Sequence, residues 1–484
     1  MQTMLSNLVR LFLLCLASAE PPDLGKLVVE YFQAPDASRK QLAKSIETAA
    51  RGDVRAVAAA VREANLWEPL SGKSCILPTV QEFREAGGEP KPTVGKWTID
   101  VAPGRSIEVA FKMPPTYDSA IASPLIVGIP AKNETLVDSL LSCRFGYPNE
   151  AERAIIVAVD RRVAGEVFGR DPETAGDFSR ILRGLHRRVH TDLNRTYLYG
   201  LGLGGDAAWL VALTHPDRFA QVAVYAAHPP LPHADQLLPL LHENVRDVPF
   251  LVCWKYKDQV GDDLKDKSGN ATPGSLRTHL VFGEVERYAT VNAFNHLFCK
   301  WAVNAGTLVN CDPVEPWNGG LPLLPVTETP PRPIPGFFPK RVTLQAENPS
   351  IWFRYPAHGR VGWLRQTRWA GPIWTEDQIS IHPAPSVDRD EYITSVLKDK
   401  LAFLGGTKDG QTIHIETRKC AEIELRIPES WDFSRPFTVF INGRKRFEGL
   451  IEPSIKTLLD CAVEDWDTQN LIVATRRFSI RENE

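Results

Sequence analysis

Five short, uninterrupted apolar runs with helical stretches between them constrain the fold more than any other feature of this 484-residue sequence. The runs are Pro124–Ile129, Ala154–Val159, Thr196–Tyr199, Gln221–Ala226 and Pro249–Trp254. The stretches Asp177–His190 and Asp206–His215 lie between them and have the apolar spacing of amphipathic helices. Strands that are apolar on both faces must be covered on both sides, and the connecting helices provide that cover. The sequence therefore predicts an α/β fold with a doubly wound parallel sheet.

The remainder of the chain divides by composition. Residues 312–340 are rich in proline, which is typical of a stiff, extended linker. This stretch separates an α/β domain over residues 91–311 from a β-rich domain over residues 341–484. In the β-rich domain, Asn442-Gly443 is the dipeptide preferred in a two-residue hairpin turn. A helical segment over residues 20–90 precedes the α/β domain. We expect the C-terminal domain to have a sandwich-like core.

The first 19 residues have the composition of a secretory signal peptide. Arg10 supplies a positive charge, Leu11–Leu16 is an apolar core, and the Ala-Ser-Ala sequence at residues 17–19 matches the small residues of a cleavage site. The apolar core is far shorter than the ~20 residues of a membrane-spanning helix, so it predicts cleavage and not anchoring. A lipidated Cys15 is the alternative, but the two leucines before it do not suit such a site. We expect an exported protein, periplasmic or extracellular, with no integral membrane segment after signal removal.

Seven cysteines follow the signal peptide, namely Cys75, Cys143, Cys253, Cys299, Cys311, Cys420 and Cys461. Their wide spacing excludes the paired CxxC motifs of zinc and redox sites. An oxidising compartment would permit a Cys299–Cys311 or a Cys420–Cys461 disulfide, and the odd number leaves at least one thiol free. The spacing favours the other interpretation, which is scattered buried thiols.

A glycine turn in the segment Tyr197–Gly205 follows a predicted strand and precedes a predicted helix. Its residues Gly200, Gly202 and Gly205 satisfy the GxGxxG fingerprint of dinucleotide-binding proteins. That fingerprint requires an acidic residue about 20 positions later, at the end of the next strand, and a place on the first strand of its unit. Here the next strand ends in Ala226-Ala227-His228, and several strands come earlier. The sequence therefore predicts no nucleotide cofactor.

The same turn has the layout of a nucleophile elbow, G-x-S-x-G, in which a strained strand-to-helix turn presents a serine. The runs Asp192–Gly200, Gly204-Gly205 and His215–Ala220 resemble secreted α/β-hydrolases, where D-x-x-R-V-Y-L-x-G-x-S-x-G-G is followed by H-P-D-x-F-A. These are esterase- and peptidase-like proteins of the feruloyl-esterase-like and polyhydroxybutyrate-depolymerase-like kinds. The resemblance covers about residues 97 to 306. It implies an α/β-hydrolase fold and a catalytic serine, histidine and acid.

Several positions depart from the family pattern. The nucleophile position is Gly202, which has no side chain with which to form an acyl intermediate. Where the family carries a His-Gly oxyanion sequence, this chain reads IPAKN, and its Pro130 has no N–H to donate. The resemblance places the triad acid at Asp258. The stretch expected to hold the histidine, residues 281–290, has none, so His296 after it and His279 before it are the candidates for a displaced base.

Loss of the serine, the histidine and the oxyanion sequence together removes the nucleophile, the base and the donors that stabilise an anion. We therefore expect a catalytically inactive pseudo-hydrolase with a binding or scaffolding role and a ligand that is an ester, a peptide or a glycan. One alternative is an active or atypical serine-type esterase or peptidase that combines Asp258 with a histidine from elsewhere. A net charge of −3 argues against a general nucleic-acid binder.

A second alternative is a carbohydrate-binding protein. It rests on aromatic residues near the start of the β-rich domain, namely Trp352, Phe353, Tyr355, Trp363, Trp369 and Trp374. Exposed rings could stack on sugars, but alternating aromatics that build a core and a domain interface are the interpretation that the pattern favours. The loop from His228 to His233 could suggest a metal pair. Prolines fix that loop and the nearest carboxylate is Asp235, so the sequence predicts no metal site.

Overall fold

A computed structural model describes residues 23–67, 94–132, 134–146, 153–163, 166–167, 171–225, 227, 240, 243–245, 248, 250–255, 309–314, 348–373 and 389–480. In this part of the chain no helix is long and apolar enough to cross a membrane. Three helices come first, α1 (Leu24–Gln33), α2 (Asp36–Ala49) and α3 (Val54–Glu63). The carboxylates of Asp23 and Asp53 accept hydrogen bonds from the N–H groups of the second and third residues of α1 and α3, which fixes where these two helices begin.

Eight strands form the main sheet in the order β1-β2-β4-β3-β7-β8-β9-β10. The strands of this part of the chain are β1 (Gly95–Ala102), β2 (Arg105–Lys112), β3 (Ser123–Ile129), β4 (Ile155–Val159), β5 (Arg162–Val163), β6 (Glu166–Val167), β7 (Thr191–Leu201), β8 (Gln221–Tyr225), β9 (Phe250–Lys255) and β10 (Val309–Val314). The β1–β2 hairpin is antiparallel and joins β4 in an antiparallel pair, and the other pairs of the main sheet are parallel. Strands β5 and β6 form a separate ribbon.

Helices cover both faces of this sheet. They are α4 (Leu136–Gly146), α5 (Asp177–His186) and α6 (Leu203–Thr214). The apolar sides of α5 and α6 pack with Val127 and Val157 on one face, whereas α4 packs with Ile126 and Ile156 on the other. Neighbouring residues of β3 and β4 thus point to opposite faces, and both faces are buried. The predicted mixed α/β fold is confirmed.

The last strand of the main sheet continues into the stretch expected as a linker. Residues Asp312, Pro313 and Val314 belong to β10 and pair with β9. Pro313 lacks the N–H that a strand between two neighbours would need, but β10 is the edge of the sheet, where proline is tolerated. The predicted helix at 291–304, the remainder of the linker and the predicted strand at 342–346 lie outside the described residues.

The C-terminal part contains two sheets packed face to face. Its strands are β11 (Ser350–Phe353), β12 (Arg360–Val361), β13 (Leu364–Trp369), β14 (Ala402–Asp409), β15 (Thr412–Arg418), β16 (Cys420–Pro428), β17 (Phe437–Ile441), β18 (Arg444–Gly449) and β19 (Ile472–Ser479), with helices α7 (Arg389–Lys400) and α8 (Ile455–Asp465). The order is β11-β14-β15-β17-β18 in one sheet and β12-β13-β16-β19 in the other. Trp363, Leu404 and Leu425 lie in the core that both sheets share. Positive φ angles at Asn442 and Gly443 give the hairpin that the dipeptide predicts.

The two ends of the chain share a core. Helices α1–α3 pack against α8, and the Tyr31 hydroxyl donates to Asp460 Oδ1 at 2.8 Å. The ring of Phe32 meets the ring of Trp466 edge to face, with centroids 5.2 Å apart. The helices at the start of the chain are therefore held by the C-terminal part, and not only by the sheet that follows them in sequence.

Buried hydrogen bonds join the α/β part to the sandwich. The Asn244 amide donates to Leu213 O at 2.9 Å and to Trp352 O at 2.7 Å, and its oxygen accepts from Trp352 N–H at 2.7 Å. His358 Nε2–H donates to Ala175 O at 3.0 Å. Separation of the two parts would break these bonds, and a buried polar group without a partner destabilises the fold. The hydrogen bonds therefore fix the two parts to each other.

A buried ionic cluster lies beside this interface. Asp465 accepts from Arg360 at 2.5 and 2.7 Å and from Arg426 at 2.8 Å. The two guanidinium groups hold the pKa of the Asp465 carboxyl well below its usual range. The side chain of Arg426 has no solvent exposure, so the cluster depends on the carboxylate that pairs with it.

Candidate functional site

The glycine turn connects β7 to α6 near the middle of the main sheet. Gly202 lies between them with φ +53° and ψ −122°, a conformation that any side chain would strain. Its N–H donates to Tyr225 O at 2.8 Å, and its own carbonyl accepts from Asp206 N–H at 2.9 Å. The turn is therefore held on one side by β8 and on the other by the first turn of α6.

The neighbouring glycines are required by close packing. They are Gly200, Gly204 and Gly205. A Cβ on Gly204 would lie 2.1 Å from Ile129 O and 2.4 Å from Pro130 O, and a Cβ on Gly205 would lie 2.5 Å from Ala227 Cβ. Helix α6 thus approaches the end of β3 more closely than a side chain at residue 204 would allow.

Gly202 differs from these three because no atom of the described residues crowds it. An added Cβ would have Ala131 Cβ as its nearest neighbour, at 3.9 Å. Among the described residues, the backbone dihedral angles disfavour a side chain at this position and no contact does. A residue placed there would project into space beside Ala131, at the carboxyl end of the central strands, where sites in α/β sheets form.

The first two residues after β3 offer no free backbone N–H. Pro130 has no N–H, and the N–H of Ala131 donates to Glu134 Oε2 at 2.8 Å. The other carboxylate oxygen of Glu134 accepts from the buried Ser142 hydroxyl at 2.7 Å. Burial raises the pKa of Glu134, and these two hydrogen bonds oppose the shift. The N–H that follows Pro130 is therefore already occupied by a carboxylate.

Sequence reasoning missed Glu134, although a local signal exists. Glu134 follows Ala131 by three residues, and the two exchange hydrogen bonds, because Glu134 N–H also donates to Ala131 O at 3.3 Å. This pair forms a turn of its own just before the helix, whose capping box is made by Thr135 and Asp138, each side chain accepting from the N–H of the other residue at 3.2 and 2.9 Å. Helix α4 begins at Leu136, two residues after Glu134.

The predicted acid and base cannot be placed beside the turn. Asp258, His279 and His296 all lie outside the described residues, as do His228 and His233. The described histidines have partners elsewhere; they are His186, His190, His215, His358 and His414. Helix α6 separates Gly202 from His215 by about 20 Å, at 1.5 Å per residue. In the described ranges no three His, Cys, Asp or Glu side chains are grouped as metal ligands.

Most of the aromatic residues proposed for sugar stacking are buried. Four of them are 5% exposed or less and belong to the cores of the C-terminal part or to its interfaces, namely Trp352, Phe353, Tyr355 and Trp363. Trp369 is partly buried and packs against the core that the two sheets share. Trp374 lies outside the described residues. The interpretation of these aromatics as a sugar-binding face is therefore wrong for the four buried rings, because a ring in a core has no face left for a ligand.

Three cysteines whose side chains the structure describes are free and buried. They are Cys143, Cys420 and Cys461, so the Cys420–Cys461 bridge that the sequence permitted does not form. Burial raises the pKa of Cys420 and of Cys461 to about 11 and raises that of Cys143 well above the usual range. These thiols stay protonated at neutral pH and are poor nucleophiles.

The chain is similar in part to solved structures of esterases and peptidases. A thermostable esterase has 14% identity and a TM-score of 0.30 over 45% of this chain and 54% of its own length. Porphyromonas gingivalis dipeptidyl peptidase 4 has 12% identity and a TM-score of 0.29 over 49% of this chain and 34% of its own. Thermogutta terrifontis esterase 2 phosphorylated by paraoxon has 12% identity and a TM-score of 0.29 over 46% of this chain and 82% of its own. The sequence matches no protein-family model and no curated protein.

Proposed function

We propose that this protein is a catalytically inactive pseudo-hydrolase, an exported binding or scaffolding protein on an α/β-hydrolase-like frame. The observation that carries the proposal is Gly202, with φ +53° and ψ −122° at the junction of β7 and α6. A nucleophile elbow must present a hydroxyl or thiol at this point. Glycine keeps the turn and has no atom that could attack a carbonyl carbon.

The neighbouring segment supports the same conclusion. An oxyanion hole at an elbow uses the N–H of the residue after the nucleophile and a second N–H from the loop after β3. In this loop Pro130 has no N–H and the N–H of Ala131 is bonded to Glu134. A carboxylate at that N–H competes with a developing oxyanion and repels it when ionised, so the loop opposes acyl transfer instead of assisting it.

Export is a further part of the proposal. It rests on Arg10, the apolar run that follows it and the Ala-Ser-Ala sequence at residues 17–19. An exported protein that keeps the interface between its main sheet and its sandwich, but lacks the residues for acyl transfer, would act by binding. Its sandwich and main sheet are joined through buried bonds such as that of Asn244, so one rigid body would carry both surfaces.

Labelling with a fluorophosphonate probe tests the proposal, because the probe reacts covalently only with an activated nucleophile. We expect no labelling of the exported wild-type chain in a mixture where an added active serine hydrolase is labelled to completion. Heat-denatured protein gives the background. Peptide mapping would reveal any modified residue, and a labelled serine in the native chain, absent after heating, would overturn the proposal.

A further inference from the structure

A groove crosses the outer face of the five-stranded sheet of the sandwich. It has a volume of about 730 Å³, and it is bounded by the start of β11 at Ser350, by β14 and β15, and by the turn at Asn442. This volume lies within the range of about 300–1,000 Å³ that small-molecule sites occupy. The groove belongs to the C-terminal part and is separate from the glycine turn of the main sheet.

The floor of the groove is an aromatic ring over a glycine. Gly405 has no side chain, and a Cβ placed on it would lie 2.7 Å from Cζ of Phe403, so the Phe403 ring covers the glycine. Trp352 supports this ring from the side, with centroids 4.6 Å apart, and Leu397 of α7 packs in the same apolar cluster. Phe403 is held in place and remains only partly buried, which makes it a fixed platform.

Polar groups line the next strand. On β15 the residues alternate, so that Ile413 and Ile415 enter the core while His414, Glu416 and Arg418 face outward. The Arg418 guanidinium lies 3.8 Å from the Glu416 carboxylate, and both side chains are about half exposed or more. A carboxylate and a guanidinium therefore stand together beside an aromatic platform.

The backbone of the groove is already paired. Strand β14 bonds to β11 and β15, and β15 bonds to β14 and β17. Beyond the last β15–β17 pair, the side chain of Asn442 takes over, accepting from Thr417 N–H at 2.9 Å and donating to Thr417 O at 3.2 Å. Strands β14 and β15 therefore have no free edge to which an extended peptide could add, and the side chains on these two strands must recognise a ligand.

We propose that this groove binds a neutral oligosaccharide. A sugar ring offers a C–H face that packs on an aromatic platform such as Phe403, and its neighbouring hydroxyl groups both donate to a carboxylate and accept from a guanidinium. Glu416 and Arg418 meet that pattern, and their opposite charges cancel, which suits an uncharged ligand. The residues differ from the buried aromatics that the sequence suggested for sugar binding.

The test is binding of the full mature chain to an array of neutral hexose and pentose oligosaccharides, followed by calorimetry with each oligosaccharide that is retained. Two variants, Arg418→Ala and Glu416→Gln, remove the polar contacts from exposed positions. Arg435→Ala is the matched control, since Arg435 is exposed and pairs with Asp432 outside the groove. We expect the Kd to rise about tenfold or more in both groove variants, the loss typical of a hydrogen bond to a charged group, and to be unchanged in the control.

Melting temperatures of the three variants equal to that of the wild type would show that the fold is retained. No retention of the wild type on the array would overturn the proposal, as would equal affinity of the groove variants or retention on a peptide array instead. Fluorophosphonate labelling of the native chain would overturn the proposed pseudo-hydrolase function and leave the groove proposal standing, because the groove does not use the glycine turn.

Discussion

Replacement of single glycines at the β7–α6 turn should reveal which of them the fold needs for conformation and which for space. In Gly202→Ala the new Cβ would have Ala131 Cβ at 3.9 Å as its nearest neighbour among the described residues, so we assign the cost to φ +53°. Such a backbone conformation destabilises the folded state by roughly 1–3 kcal/mol. Alanine also lowers the conformational entropy of the unfolded chain, which offsets about 0.4–1 kcal/mol of that loss. We expect a net loss of about 1–2 kcal/mol.

In Gly204→Ala the balance is different. The Cβ would lie 2.1 Å from Ile129 O, and that oxygen belongs to the backbone of a central strand and cannot rotate away. Residue 204 is inside α6, where alanine would otherwise be favoured, so any loss is steric. Overpacking against fixed backbone lies at the upper end of single-substitution effects, and we expect a loss of roughly 3–5 kcal/mol.

Urea unfolding followed by tryptophan fluorescence measures both losses, and Gly104→Ala is the control for conformation alone. Gly104 has φ +70° with no atom within 4 Å of an added Cβ, so this variant should resemble Gly202→Ala. The reasoning would be refuted if Gly204→Ala were tolerated as well as Gly104→Ala, since the close approach of α6 to β3 would then not exist. It would also be refuted if Gly202→Ala were as stable as the wild type.

Three further outcomes are expected. Asp465→Asn should lower the free energy of unfolding by about 3–5 kcal/mol, because the fully buried Arg426 would keep only its 3.5 Å contact with Glu464 and the partly buried Arg360 would lose its bidentate partner. The control Asp409→Asn, at an exposed position outside this cluster, should unfold as the wild type does. Burial lowers the pKa of His215 to about 3, against about 6.5 in an unfolded chain. Between these two pKa values the unfolded state binds more protons than the folded state, so the free energy of unfolding should fall as the pH drops below about 6.5, by up to about 1.4 kcal/mol per pH unit. Urea titrations of His215→Gln should show a weaker dependence of this free energy on pH. The same pH dependence in the variant and the wild type would contradict this reasoning. Intact-mass measurement of exported protein should give a mature chain that begins at residue 20, and a retained Met1 in the extracellular fraction would count against export by cleavage.

Short-range patterns in the sequence predicted the parts of the fold that depend on neighbours along the chain. Continuous apolar runs gave the buried strands, because a strand covered on both faces has no polar side. The Asn442-Gly443 dipeptide gave the β17–β18 hairpin, since both residues accept positive φ. The glycine turn was predicted from the same kind of signal, as a strand, a turn and a helix in immediate succession.

Contacts between distant segments left no comparable signal. The hydrogen bond from Tyr31 to Asp460 joins residues 429 positions apart, so nothing near Tyr31 indicates its partner. The aromatic-rich start of the sandwich was ambiguous for the same reason, because only the second sheet decides that Trp363 is buried. At the candidate site, the hydrogen bond from Ala131 N–H to Glu134 forms only because the chain turns before α4. A separation of three residues in the sequence allows such a turn but does not by itself predict it.

The esterase rate of Gly202→Ser tests the central claim most directly. No atom of the described residues lies within 3.9 Å of a Cβ at this position, so these residues leave room for the new hydroxyl. We predict no increase in the hydrolysis of p-nitrophenyl acetate over the wild type, with or without Glu134→Ala to free the N–H of Ala131, because a hydroxyl without a positioned base lacks the ~10²–10⁴-fold assistance of general base catalysis. A rate gain of about 10²-fold or more that disappears when His296 or His279 is also replaced would show that a working base reaches the turn, and it would contradict the account.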